Sequence, residues 1–179
     1  MRIVHEYSLN NKRSDGRILI LCVKEHLCEG CGNPMQCKDR RERIGLTYDG
    51  ERNTYLVRRM YCKECRHMHT ELPDFLVKYK HYEAKLIEEA IDGEDFSDHS
   101  NPVPDTIRRW RIWFEQILPL LEAALESMYA DIADCIPTII GMVFYVDAVR
   151  ANGEGWLVTI LSTLINAGKY PEPRSIDRR

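Results

Sequence analysis

Apolar positions come in short strand-like runs through the first part of the chain and at helical spacing after about residue 79. Ile18-Leu-Ile-Leu-Cys-Val23 is an unbroken apolar run of strand length, and Thr54-Tyr-Leu-Val-Arg-Arg-Met-Tyr61 is rich in β-branched and aromatic residues. Asp49-Gly50 falls just before the second run, where a hairpin turn belongs. His69-Thr-Glu-Leu-Pro-Asp-Phe75 reads as a closing strand that ends at Pro73. Over residues 79–92, Tyr82, Leu86, Ile87 and Ala90 lie at helical spacing, and Gly93 stops that helix. An acidic, turn-rich stretch at 94–101 and Pro102-Val-Pro104 separate it from the next one. There Ile107, Trp110, Trp113, Phe114 and Ile117 share one helical face, while Arg108, Arg109, Arg111, Glu115 and Gln116 share the other. Pro104 and Asp105 suit its first turn. Pro119 can begin a further helix with Leu121, Ala124, Leu125 and Met128 as its stripe, followed by helices over 137–150 and 156–168. Gly168 serves as a C-cap with Pro171 beyond it, and 171–179 reads as a frayed tail. The fold class predicted is α+β, in three parts: a strand-rich segment 1–78, a helix-turn-helix-like segment 79–117 and a helical region 118–179.

Cysteine spacing turns the first part into something more specific. Cys28-Glu-Gly-Cys31 and Cys62-Lys-Glu-Cys65 stand on either side of the second strand, and four thiolates are the ligand set of a closed tetrahedral zinc site. A two-residue spacer lets the chain turn so that both sulfurs of a pair reach one ion, and Gly30 and Gly32 permit the positive φ such a turn uses. The reading is a zinc ribbon with structural Zn2+ on Cys28, Cys31, Cys62 and Cys65. Cys37 competes weakly, having no paired partner, and His26, His67 or His69 could each replace one sulfur. Cys22 reads as a small buried hydrophobe.

Net charge is only −3, but it is unevenly spread: residues 36–66 hold nine Lys/Arg against five acids, and residues 83–98 hold seven acids and one lysine. Such asymmetry makes a polyanion-facing surface possible on a near-neutral protein. Arg108, Arg109 and Arg111, opposite an aromatic stripe, have the layout of a recognition helix entering the major groove. Lys38, Arg40, Arg41 and Arg43 would add phosphate contacts. Double-stranded DNA is therefore the expected partner. The competing reading is a protein–protein adaptor that uses the ribbon and the acidic helices, and the C-terminal helices suit a homo-oligomer or a protein partner.

No phosphate loop, Gly-x-Ser-x-Gly elbow or His-Glu-x-x-His motif is present, and the acids Asp92, Asp95, Asp98, Asp131, Asp134 and Asp147 fall in helical or loop context, so no enzyme activity is expected. Residues 136–149 form the longest apolar stretch. Pro137, Gly141 and Asp147 interrupt it, and it falls short of the roughly 20 residues that span a bilayer. Seven cysteines with no visible export signal point to a reducing, cytoplasmic setting.

Taken together, Cys28-x-x-Cys31, Arg58-Arg-Met-Tyr-Cys-x-x-Cys65, His69-Thr-x-Leu-Pro-Asp-Phe75 and Thr106-Ile-Arg-Arg-Trp-Arg111 give the chain a family likeness. It resembles an uncharacterised bacterial family whose members are similar to the N-terminal zinc-ribbon and helix-turn-helix region of insertion-sequence transposases. The resemblance covers most of residues 25–117 and extends to Gly155-Trp-Leu157 and Asn166-Ala-Gly168 in the helical tail. It implies DNA binding without a catalytic domain, with the four cysteines as ligands and the helix from Thr106 as reader. Between Gly93 and Pro104 no second helix is legible, which leaves the helix-turn-helix irregular or absent.

Overall fold

A computed structural model of the protein describes residues 1–11, 14–24, 26–47, 49–96, 102–133 and 145–171, the side chains of 130–133 excepted. It is a mixed α+β protein that divides into two compact units, Met1–Leu86 and Ile87–Arg179. Residues 97–101 of the acidic linker, residues 137–144 of the helix expected over 137–150, and residues 172–179 of the tail lie outside the described residues.

The first unit is a six-stranded sheet of β1 (Arg2–Val4), β2 (Tyr7–Asn10), β3 (Ile18–Cys22), β4 (Gln36–Leu46), β5 (Arg52–Tyr61) and β6 (Met68–Pro73). β5 is its centre. β4 lies antiparallel along one edge of it, from Gln36 opposite Tyr61 to Leu46 opposite Arg52. On the other edge, β3 runs parallel beside Tyr55 and Leu56, and β6 runs antiparallel beside Arg59, Met60 and Tyr61. Tyr55, Leu56 and Val57 are buried in succession, so the middle of β5 is covered on both faces, as its aromatic and β-branched content requires. The turn expected at Asp49-Gly50 is present: Gly50 has φ 78°, and its amide donates to the Thr47 carbonyl over 3.0 Å. Gly45 is needed for a different reason. A β-carbon there would stand 2.7 Å from Tyr55 Cε2 and 3.0 Å from Leu76 Cδ2, so a larger residue would drive β4 off the core.

The second unit is helical, with α1 (Ala84–Asp92) running into it from the first, then α2 (Pro104–Ala133), α3 (Tyr145–Arg150) and α4 (Trp156–Asn166). Trp110, Phe114, Ile117, Leu121 and Leu125 are the buried row of α2, at the spacing expected of one apolar stripe. That row carries one correction. Pro119 does not begin a new helix; it sits inside a 30-residue one. Pro119 and Glu115 are both exposed, so water can take the Glu115 carbonyl that loses its amide donor. The helix expected over 79–92 likewise starts later, at Ala84, after a turn at residues 77–80.

Two carboxylates fasten the short helices. Glu122 accepts the Tyr145 and Val146 amides over 2.8 and 3.0 Å at the start of α3. Glu88, buried, accepts the Gly155 and Leu157 amides over 2.6 and 2.9 Å at the start of α4. A negative charge at a helix N-terminus satisfies donors that the helix cannot and opposes the positive end of its dipole. Replacing Glu88 with alanine is expected to destabilise this unit by about 1–3 kcal/mol, read as a lower urea midpoint at unchanged slope. At α4's other end the expected cap is present: Gly168 (φ 68°) and Lys169 donate back to Ile165 and Leu164. No helix among the described residues is long and apolar enough to cross a membrane.

Candidate metal centre

The β4–β5 hairpin explains why two cysteine pairs thirty residues apart meet. One pair lies just before β4 and the other just after β5, and the register sets Gln36 opposite Tyr61 at the hairpin's open end. A short bridge between Leu27 and Pro34 folds the first pair back on itself. The result is a cluster in which the sulfurs of Cys28, Cys31, Cys62 and Cys65 all lie within 4.8 Å of one another. The closest pairs are Cys28–Cys65 at 3.3 Å and Cys31–Cys62 at 3.4 Å, far beyond the roughly 2.05 Å of a disulfide.

Both turns are built alike. The Cys28 amide donates to the Asn33 carbonyl over 2.8 Å, and the Cys62 amide donates to the His67 carbonyl over 2.9 Å. Each turn has a left-handed residue after its second cysteine, Gly32 at φ 72° and Arg66 at φ 61°. The next backbone amide, that of Asn33 or His67, donates to the second sulfur. Gly32 therefore has the positive φ expected of it, whereas Gly30 does not; a β-carbon at Gly30 would make only ordinary 3.8 Å contacts with two of the sulfurs.

Cys28 and Cys62 are buried against Met35 and Met60, while Cys31 and Cys65 face solvent. Hydrogen bonds from the Asn33 amide and side chain, with the Cys62 sulfur beside it, pull the Cys31 thiol down to about 6. At Cys65 the His67 amide favours the thiolate, but the Cys28 sulfur, partial desolvation and the Cys31 and Cys62 sulfurs outweigh it and push the thiol up to about 12. Four sulfurs this close cannot all be anionic by themselves, and a divalent cation among them would supply the missing charge. A regular tetrahedron with metal–sulfur bonds of about 2.3 Å has sulfur–sulfur edges of about 3.8 Å, between the closest and widest separations here. The donor set thus fits one ion. Cys37 is exposed and bonded to the Asp39 carbonyl, outside the cluster. His69 is buried with neither ring nitrogen hydrogen-bonded, and desolvation holds its pKa below the usual value.

His26, considered as a ligand, belongs to a different group. Its Nδ1 and the Nε of Arg58 (2.7 Å) both reach the Glu71 carboxylate, which is wholly buried. Arg58 also reaches the Lys24 carbonyl, and the His26 carbonyl accepts the Met35 amide over 3.0 Å. The network thereby ties β5 and β6 to the segment entering the first cysteine turn. Burial opposes the charged form of Glu71, but Arg58 and His26 outweigh it and hold the carboxyl below its usual range. Beside it, burial lifts the half-buried Cys22 thiol to about 11.

The basic residues of β4 expected to face DNA do not all share one face of the sheet. β4 alternates, so Arg40, opposite Arg58, and Arg41, opposite Val57, point to different faces of the sheet. Both are exposed, as is Lys38, whose ammonium stands 5.5 Å from the Tyr61 ring centre. Arg43 departs from the expectation. It is half-buried in register with Tyr55, its Nη2 donates to the Val77 and Lys80 carbonyls over 3.2 and 3.3 Å, and desolvation lowers its pKa. On α2, Thr106 is half-buried in the first turn, and Arg108 and Arg109 both pair with Asp105 at 2.7 and 2.6 Å. Arg111 donates to the Ala90 carbonyl over 2.7 Å, capping the last turn of α1. Between α1 and α2, residues 97–101 lie outside the described residues, and the helix left open between Gly93 and Pro104 falls largely there.

A family model described as a domain of unknown function (DUF6431) matches residues 28–110, from the first cysteine of the cluster into α2. No curated protein and no solved structure matches the chain.

Proposed function

We propose that the protein is a DNA-binding protein without its own catalytic domain, and that one structural zinc ion on Cys28, Cys31, Cys62 and Cys65 holds its first unit in a zinc-ribbon fold. Four sulfur ligands leave the ion no open position, so it stabilises and does not activate water. The observation that carries the reading is how charge divides between the units. Residues 1–86 hold seventeen Lys/Arg against twelve Asp/Glu, net +5, and residues 87–179 hold eight against sixteen, net −8. Four thiolates and a divalent ion would still leave the first unit positive. The polyanion-facing surface is accordingly assigned to the first unit, with Lys38, Arg40 and Arg41 among its exposed cations. The helix-turn-helix role of α2 is set aside, because Arg108 and Arg109 are paired with Asp105 and Arg111 is bonded to the Ala90 carbonyl, inside an acidic unit.

Affinity for a random-sequence duplex should fall steeply with salt, because each phosphate contact contributes about 0.9 to the log–log slope. Because Arg40 and Arg41 point to different faces of the sheet, replacing Lys38, Arg40 and Arg41 together by alanine should flatten that slope by about 1–2, while replacing Arg108 and Arg109 changes affinity less than about twofold. Fluorescence anisotropy across a salt series reads both. Absence of binding at low salt would favour the adaptor reading, in which the strongly acidic second unit recruits a protein partner.

A further inference from the structure

The connection from β6 to α1 reverses at residues 77–80, where the Lys80 amide donates to the Val77 carbonyl over 3.1 Å. Tyr79 is the third residue of that turn and has φ 63°. Glycine or asparagine takes this backbone with little strain; a tyrosine does not. Burying the ring does not compensate, since Tyr79 is 66% exposed, the most exposed aromatic among the described residues. The turn is clamped by Arg43, whose guanidinium binds the carbonyls of Val77 and Lys80 on either side of the tyrosine. Lys78, nearly buried itself, sets its ammonium 5.0 Å from the centre of the Tyr79 ring. An exposed aromatic ring on a clamped turn thus projects into solvent with an ammonium beside it, in the unit that carries net positive charge.

We propose that Tyr79 is a stacking platform for an unpaired base of single-stranded nucleic acid. The inference rests on the nucleic-acid reading above and adds to it a contact with unpaired bases. Every base has a π-face, so an exposed aromatic ring accepts any of them, and surrounding cations draw in the phosphates. Lys78 is buried and Lys80 half-buried, so the exposed neighbour is the polar His81, and the attraction for a polyanion comes from the net positive charge of the unit. Removing a ring of this kind lowers affinity about 5- to 150-fold per stacked base.

The test compares a labelled 20-nucleotide oligo-dT with a duplex of equal length, using the full chain. Tyr79→Asn suits the left-handed backbone, so it should melt no lower than the native protein while losing at least about fivefold in affinity for oligo-dT. Its duplex affinity should change less than twofold. Tyr79→Phe, which keeps the ring, should stay within twofold on both probes, and Tyr79→Gly should repeat the loss seen with asparagine. Native-like oligo-dT binding by Tyr79→Asn, an equal loss on both probes, or native binding to duplex alone would overturn the inference and leave the nucleic-acid reading standing. Native protein that binds neither probe would overturn both.

Discussion

If the four-cysteine cluster holds the proposed zinc, chelating it is expected to unfold the strand-rich unit outright. Structural zinc in small all-protein sites contributes about 10–16 kcal/mol to folding, against a typical total domain stability of about 5–15 kcal/mol. A loss of that size cannot be absorbed by the remaining contacts. The β4–β5 hairpin would lose the clamp at its open end, where Gln36 faces Tyr61 and the two cysteine turns meet. Hydrogen exchange of β4, β5 and β6 amides should then rise toward unfolded rates, and returning zinc should restore protection. Cys62→Ser should mimic chelation, because Cys62 is a buried member of the cluster, while Cys37→Ser should leave zinc content and melting unchanged. Protection that survives complete metal removal would show that the sheet stands without it.

The second large effect is expected at Glu71, away from the metal. Replacing it with alanine leaves Arg58 and His26 without their shared carboxylate, and breaking a buried ion pair from one side costs about 3–5 kcal/mol. The double change of Arg58 to methionine and Glu71 to leucine should recover much of that, because it removes the stranded charge as well as its partner. The pH dependence follows from the direction of the shift. The folded-state pKa of Glu71 is depressed, with burial opposing and Arg58 and His26 prevailing. Its contribution is therefore fully present above the unfolded carboxyl value of about 4.3 and is lost as pH falls below that toward the folded value. Urea midpoints measured from pH 7 down to 3 should fall in that window for the native protein and less steeply for Glu71→Ala. Equal slopes would place the acid sensitivity elsewhere.

The sequence made some features readable and hid others for identifiable physical reasons. β5 and β6 were legible because aromatic and β-branched residues lead into Cys62 and because Pro73 ends the closing strand. The sulfur cluster was legible because Cys-x-x-Cys spacing is set by the geometry of one ion. β4 was not, since Gln36–Leu46 includes Lys38, Asp39, Arg40, Arg41, Glu42 and Arg43, and an edge strand dressed in charge shows little apolar alternation. Its register is what moved Arg43 from expected phosphate contact to turn clamp. Pro119 misled the reading of α2, because a proline signals a helix start and gives no notice that its carbonyl partner lies on an exposed side. The carboxylate contacts were beyond reach for another reason: Glu88 meets Leu157 across 69 positions and Glu71 meets His26 across 45, distances over which no local pattern speaks. Tyr79 carries a signal only in its backbone angle, which composition and spacing do not encode.

X-ray absorption at the zinc edge, on protein whose metal content has been counted, addresses the four-sulfur centre most directly. One zinc per chain with four sulfur neighbours at about 2.3 Å is the predicted result. A metal-free chain, nitrogen or oxygen in the coordination shell, or sulfur–sulfur bonds among Cys28, Cys31, Cys62 and Cys65 would contradict it.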